Sequence, residues 1–111
     1  MNKIYEVKNL STFELDKGNL FKGLSINDNN YYGFGEIYFT SILPSIVKGW
    51  KKHIKMTLNI IVLNGAVKFV IINKLNINKN TYIDIELSEN KKQILTIFPN
   101  NWFAFQGLNE K

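Results

Sequence analysis

Cysteine and arginine are both absent from the 111-residue chain. Without cysteine, the protein can form no disulfide, has no thiol nucleophile and offers no cysteine ligand to zinc. All fourteen basic residues are lysine, and they outnumber nine acidic residues to give a formal net charge of +5. Specific readers of nucleic acid usually rely on arginine for bidentate contacts, so this charge alone does not predict a nucleic-acid partner. It suits a pocket for a small anionic ligand, such as a nucleotide diphosphate.

Long hydrophobic runs are also lacking. No apolar segment reaches the roughly 18 residues needed to cross a bilayer. Acidic residues interrupt the N-terminal segment MNKIYEVKNLSTFELDKG, which therefore does not match a signal peptide. We expect no membrane partner and a cytoplasmic location. The composition, 45% hydrophobic and 14% aromatic, is typical of a globular protein.

Signals for β-strands are abundant. The runs that favour strands are GEIYFTSI, TLNIIVL, AVKFVII, TYIDIELS, QILTIF and WFAFQ. Asn64-Gly65 joins the second run to the third, and this dipeptide is the strongest short signal for a β-hairpin. TYIDIELS alternates, with Ile83, Ile85 and Leu87 on one predicted face and polar residues on the other.

Short strands separated by turns predict an all-β sandwich or barrel. We expect residues 1–111 to form a single domain. NKLNINKN is predicted to be a loop, and SENKKQ either one helical turn or a loop. The sequence stops at GLNEK, shortly after a strand, so a closing strand is expected to be missing or supplied by a partner.

The segment KGWKKHIK contains the chain's one histidine, His53. If residues 48–55 form a strand, side chains alternate between two faces. The first face carries Gly49, Lys51, His53 and Lys55. The second carries Trp50, Lys52 and Ile54. Two interpretations of the first face stay open. Lysine is normally a surface residue, which favours a solvent-exposed edge. The alternative is a wet active site, in which nearby ammonium groups keep the imidazole neutral and ready to accept a proton.

Other site chemistries are not supported. One histidine, with no cysteine and no clustered carboxylates nearby, cannot supply the ligands of a metal site. No GxSxG nucleophile motif is present.

The stretch VKGWKKHIKMTLNIIVLNGAVKFVI resembles the central part of the metal-free sugar-nucleotide cupins. These are the dTDP-4-dehydrorhamnose 3,5-epimerases and the dTDP-4-keto-6-deoxyhexose 3,4-ketoisomerases. Their common pattern is Arg-Gly-aromatic/Leu-His, then an apolar strand, a glycine turn and a second strand. The ketoisomerase form is Arg-Gly-x-His-x-His-Lys. Without gaps, Lys48 takes the arginine position, Gly49 the glycine, Lys51 the first histidine and His53 the second.

Two more segments share the resemblance. DKGNL, residues 16–20, is similar to the family's N-terminal Asp-x-Arg-Gly-x-Leu. IFPNNWFAF, residues 97–105, is similar to its Pro-x-x-Trp-His-x-Phe strand, with Phe103 where histidine usually stands. The resemblance implies an all-β, cupin-type double-stranded β-helix, or jelly roll. Because the second histidine is kept and the first is Lys51, the ketoisomerase pattern fits better than the epimerase pattern.

The activity implied by this resemblance is that of an isomerase or epimerase of a nucleotide-linked 4-keto-6-deoxy sugar, serving surface polysaccharide biosynthesis without a cofactor. We expect His53 to remove the proton beside the keto group, Lys51 or Lys55 to stabilise the enolate, and Tyr38 to return a proton. The expected substrate-binding residues are Lys48, Lys55, Trp102 and Glu36. For Trp102 and the lysines, packing and solvation are alternatives. We expect a homodimer, because pairing would cover sheet edges.

Two other functions stay open. One is a non-catalytic sugar-nucleotide-binding cupin that has lost two of the family's histidines. The other is a domain that acts together with a fused or separate acyl- or aminotransferase.

Overall fold

The computed structural model describes residues 3–72 and 82–108. Nine strands lie in these ranges: β1 Tyr5–Asn9, β2 Ser11–Phe13, β3 Leu20–Lys22, β4 Val47–Lys52, β5 Leu58–Ile61, β6 Ala66–Ile72, β7 Tyr82–Ser88, β8 Gln93–Ile97 and β9 Trp102–Gly107. No helix within the same ranges is long and apolar enough to cross a membrane. The predicted all-β class is confirmed.

The strands form two main antiparallel sheets and a small arm. One sheet has the order β1-β8-β5, the other has the order β4-β9-β6-β7, and β2 pairs only with β3. The core is built by both main sheets, with Phe69, Ile71 and Phe103 from the larger and Leu95 and Ile97 from the smaller. Two sheets that bury their apolar faces against each other make a β-sandwich.

The alternation predicted for β7 is confirmed. Ile83 and Ile85 are partly buried and Leu87 is buried, whereas Asp84 and Glu86 are exposed. The predicted runs QILTIF and WFAFQ form β8 and β9. SENKKQ forms a turn, in which the Lys91 N–H donates to the Ser88 carbonyl oxygen at 3.1 Å. The predicted loop NKLNINKN, residues 73–80, lies outside the described residues.

The hairpin predicted at Asn64-Gly65 is wrong. The turn exists, with Gly65 at φ +78°, but β5 pairs with β8 while β6 pairs with β7 and β9. Both edges of β6 are therefore occupied, and β5 has no place beside it. The turn carries the chain from one sheet to the other.

The strand predicted in GEIYFTSI, residues 35–42, is also wrong for this chain. No strand is assigned between residues 33 and 43, and Phe34, Ile37 and Phe39 are each at least 74% exposed. A strand needs a neighbour to complete its hydrogen bonds, and the described residues supply none to this segment. We call residues 33–43 the apolar segment.

A polar network joins the loop before the apolar segment to the smaller sheet. Asn30 is 2% exposed, and its amide donates to Asn59 Oδ1 and Thr96 Oγ1, both at 3.3 Å. The side chain of Asn59 donates in turn to the Asn30 carbonyl at 2.9 Å, and Lys8 Nζ donates to Asn30 Oδ1 at 3.1 Å. The buried amide is thus satisfied, as burial requires.

Candidate active site

Two lysines of β4 lie on the face that looks toward the interior of the sandwich. Lys48 is opposite Phe105 and Lys51 is opposite Phe103 in the register of β4 with β9. Paired residues of antiparallel strands project to the same side, and both phenylalanines belong to or pack against the core. β4 is an edge strand and both lysines are exposed. The lysines therefore lie at the open margin of the sandwich.

A bulge in β4 changes the predicted alternation. The register shifts between Lys48 and Lys51, and a Cβ added at Gly49 would overlap the Cβ of Ala104. Ala104 lies between Phe103 and Phe105 in β9, so it faces the opposite side of the sheet. The prediction that Gly49 shares a face with Lys51 is wrong, because the extra residue of a bulge reverses the alternation.

His53 follows β4 directly and lies on the same side as Lys51. Its ring is tilted against that of Phe103, with centroids 6.0 Å apart and 33° between the planes. The side chain is partly buried, so the imidazole is neither in bulk water nor enclosed in the core. The His53 carbonyl oxygen accepts a hydrogen bond from the Asn100 N–H at 2.8 Å. Histidine is the side chain that enzymes use most often as a general acid or base.

The residues around His53 divide between the two faces. Lys55 is exposed two residues further along the chain. Lys52 lies on the opposite face, with its Nζ 5.3 Å from the centre of the Trp102 ring. Trp102 is paired with Lys52 and precedes Phe103, so the structure does not place it on the face of His53. Its Lys52 contact is a cation–π interaction.

Two predicted site residues belong to the apolar segment. Glu36 and Tyr38 are exposed, and no hydrogen bond among the described residues joins either to His53. The segment is nevertheless attached to β4, because Lys48 Nζ donates to the Ser41 carbonyl at 2.8 Å and contacts Thr40 Oγ1 at 3.4 Å. Lys48 thus ties the segment that carries Tyr38 to the strand that leads to His53.

Sequence reasoning missed the turn that contacts His53. The residues Phe98, Pro99, Asn100 and Asn101 connect β8 to β9. Asn100 has a φ of +72°, a backbone conformation that asparagine tolerates better than most residues. Pro-Asn-Asn before a strand is a sequence signal for a turn, but nothing in the sequence indicates which residue this turn contacts.

Within residues 3–72 and 82–108, no group of three or more His, Cys, Asp or Glu side chains could hold a metal ion. A polar cavity of about 190 Å³ is lined by nine residues that include none of the predicted site residues: Lys8, Asn9, Leu10, Ser11, Lys22, Gly23, Ser25, Asn27 and Asp28.

Solved structures of sugar-nucleotide enzymes share this fold. A dTDP sugar isomerase from Desulfovibrio desulfuricans G20 is similar with a TM-score of 0.83 and 24% identity, over 96% of this chain and 70% of that one. QdtA, a sugar 3,4-ketoisomerase from Thermoanaerobacterium thermosaccharolyticum solved in complex with TDP, has a TM-score of 0.78 and 22% identity, over 99% and 76%. RmlC, a dTDP-6-deoxy-D-glucose-3,5-epimerase from Legionella pneumophila, has a TM-score of 0.74 and 14% identity, over 96% and 61%.

These likenesses define the class of fold. No protein-family model matches the chain, and no curated protein matches it in sequence. The cupin-type jelly roll predicted from the motifs is confirmed, and the structural neighbours are the same isomerases and epimerases that the motifs resemble. At 14–24% identity, the comparisons show a shared fold.

Proposed function

We propose that the protein is an isomerase or epimerase of a nucleotide-linked 4-keto-6-deoxy sugar, acting in the cytoplasm in surface polysaccharide biosynthesis. One observation carries the proposal. The chain's only imidazole is partly buried at the margin of the sandwich, on the side of Lys51, in a fold shared with a dTDP sugar isomerase. Structures of QdtA hold TDP or TDP-4-keto-6-deoxyglucose, which gives the substrate class a precedent.

The reaction begins at a carbon next to the keto group. His53 takes the proton from C3, and the electrons of the broken C–H bond form the C3–C4 double bond while the C4 oxygen becomes an enolate. The Lys51 ammonium stabilises that negative charge, and Lys55 is the alternative. For 3,4-ketoisomerisation, the proton of the C3 hydroxyl passes to the C4 oxygen, and C4 gains a proton from Tyr38 or from protonated His53, which leaves the keto group at C3 and a hydroxyl at C4. For epimerisation, a proton returns to the same carbon on its other face.

Charge supports an anionic ligand at this margin. Lys48, Lys51 and Lys55 lie within eight residues that contain no acidic residue. A nucleoside diphosphate carries negative charge that such a site attracts. Lys48 is the candidate for the diphosphate, together with its tie to Ser41. Glu36 and Trp102 remain proposed contacts to the sugar and base, although neither is brought beside His53.

Proton exchange tests the assignment. With dTDP-4-keto-6-deoxyglucose in D₂O, we expect ¹H NMR to show loss of the C3 proton signal and formation of the 3-keto product. His53→Gln should lower the rate by about 10²–10⁴-fold, because one positioned base contributes that much, and should leave TDP binding by calorimetry intact. The control is Lys52→Gln, which removes a charge from the opposite face. Full activity in His53→Gln would remove His53 from the mechanism.

A non-catalytic sugar-nucleotide-binding protein is the second candidate. The residues that favour it are Lys51 and Phe103, which stand where the related enzymes usually have histidine. Nucleotide-sugar binding without any exchange at C3 or C5 would select this function. Loss of exchange in His53→Gln would select the enzyme.

We propose a homodimer as the working form. The apolar segment and the β2–β3 arm expose large hydrophobic side chains, including Phe13 and Leu20 in the arm. Monomeric proteins rarely expose apolar surface on this scale. A second copy is the partner that would cover it and would supply a neighbouring strand to the apolar segment.

A further inference from the structure

The segment from Phe98 to Phe103 holds His53 at two separate points. The Asn100 N–H donates to the His53 carbonyl oxygen at 2.8 Å, which fixes the main chain just beyond β4. The Phe103 ring lies 6.0 Å from the imidazole, centre to centre, and tilted by 33°, which limits the rotation of the side chain. Backbone and ring are therefore located by one short stretch of sequence.

The turn itself is held by a buried amide. Asn101 is 3% exposed, and its Nδ2 donates to the carbonyl oxygens of Phe98 at 2.9 Å, Pro99 at 3.2 Å and Ile4 at 3.4 Å. These bonds tie the turn to itself and to the residue before β1. With its neighbour fixed in this way, the N–H of Asn100 keeps its direction toward His53.

The ring contact is equally constrained. Phe103 is 4% exposed and belongs to the core cluster, so the surrounding packing leaves its ring little freedom. Lys51 lies directly opposite it across the two strands. The Phe103 ring therefore has a fixed position, and the imidazole packs against it. The Lys51 side chain projects from β4 on the same side as this ring.

We propose that Phe103 and Asn101 are positioning residues for His53, the first through its ring and the second through the turn that bonds its backbone. This inference rests on the proposed function for its effect on rate. The physical reason is that a displacement of about 1 Å can cost on the order of 10²-fold in turnover when a catalytic group must meet its proton in line.

Nuclear magnetic resonance tests the ring contact without any substrate. The chain has one histidine, so the imidazole Hε1 proton gives a single signal that senses the aromatic ring beside it. We expect Phe103→Leu to move this signal and to lower kcat about 10- to 100-fold, with KM nearly unchanged. Phe103→Tyr keeps an aromatic ring at the position, so its His53 Hε1 signal and its kcat should be close to those of the wild type. An Hε1 signal that stays in place in folded Phe103→Leu would overturn the ring contact.

The matched control for core damage is Phe69→Leu. Phe69 is as buried as Phe103 and lies in β6, where its recorded ring contact is with Phe105 at 5.7 Å. We expect Phe69→Leu to destabilise the protein while leaving the His53 signal and kcat near those of the wild type. An equal fall of kcat in both variants would mean that Phe103 acts only through stability.

A second pair of variants tests the turn. Asn101→Ser removes the amide that holds the turn. Asn30→Ser removes a similarly buried amide, which belongs to the polar network on the smaller sheet. We expect Asn101→Ser alone to speed hydrogen exchange at the Asn100 amide and to lower kcat. Equal effects of the two variants would overturn the role of Asn101.

The outcomes separate this inference from the proposed function. If the wild-type protein turns over no keto sugar but Phe103→Leu still moves the His53 signal, the positioning holds and the activity is wrong. If the wild type is active and the signal stays in place, the activity holds and the positioning is wrong.

Discussion

At the scale of single residues, Lys48 stands where the family that the sequence resembles has arginine, and the two side chains bind anions differently. Arginine presents a planar fork that matches two oxygens of a phosphate or carboxylate, whereas lysine is a compact point charge on a flexible stem. Lys48 already directs its ammonium to the Ser41 carbonyl at 2.8 Å. If the proposed diphosphate binds Lys48, it competes for that ammonium or shares it, and ligand binding is then coupled to the position of the apolar segment.

Gly49 supports a prediction about packing. Alanine at this position would bring its Cβ into the Cβ and Cα of Ala104, one strand away. Overpacking of this kind typically costs about 1–3 kcal/mol, so we expect Gly49→Ala to lower the free energy of unfolding by that amount in urea denaturation.

Gly35→Ala is the matched control for Gly49→Ala. No atom lies within 4 Å of a Cβ added there, and we expect a change within about 0.5 kcal/mol. A Gly49→Ala variant as stable as Gly35→Ala would show that β4 does not pack this closely on β9.

At the scale of elements, the patterns that were read correctly depend on one strand alone. Alternation in β7 predicted its buried face, because Ile83, Ile85 and Leu87 need only a core on one side. Asn64-Gly65 predicts a turn, and the turn is present. The prediction that the strands on its two sides, β5 and β6, pair with each other is wrong. Which strands pair is decided by distant residues, here β7 and β9 on the two edges of β6, and local sequence does not contain that information.

The candidate site likewise combines features that one segment predicts with contacts that only the fold creates. His53 and Lys51 were placed on one face from their spacing, and they do lie on the same side. The ring of Phe103 and the hydrogen bond from Asn100 come from about fifty residues further along the chain. Spacing in a single segment cannot predict contacts that the fold brings together from two segments.

The turn between β5 and β6 yields a second prediction of stability. In place of hairpin hydrogen bonds it has Glu89, whose Oε1 accepts from the Gly65 N–H at 2.6 Å, while the Glu89 N–H donates to the Gly65 carbonyl at 2.9 Å. A hydrogen bond to a charged group contributes about 1.5–3 kcal/mol. We expect Glu89→Ala to lower the free energy of unfolding by about that much.

Glu86→Ala is the control for this turn. Glu86 is exposed in the neighbouring β7, and its removal should change stability by less than about 0.5 kcal/mol. If both variants unfolded at the same urea concentration as the wild type, the carboxylate of Glu89 would not stabilise the turn.

At the scale of the whole molecule, the chain is extended for its length. Its radius of gyration is 14.8 Å and its principal extents are 52 × 36 × 24 Å, against about 13 Å expected for a compact domain of 111 residues. Within residues 3–72 and 82–108, the buried hydrophobic residues all lie between Phe69 and Ala104. Much of the first half therefore lies outside the core, with the β2–β3 arm, the apolar segment and β4 exposed.

A second copy of the chain is the expected cover for this first half. If two copies pair through the apolar segment, Phe39 enters the interface, and a charge there would be buried without a partner. It is 81% exposed in the single chain. We expect the wild type to have twice its 12.9 kDa mass in light scattering, and Phe39→Asp to shift it to monomer with its β-sheet circular dichroism intact. Leu63→Asp, which alters an exposed apolar residue outside the segment, should remain dimeric. A wild-type protein that stays monomeric at every concentration, or equal dissociation by both variants, would mean that the apolar segment is not the dimer contact.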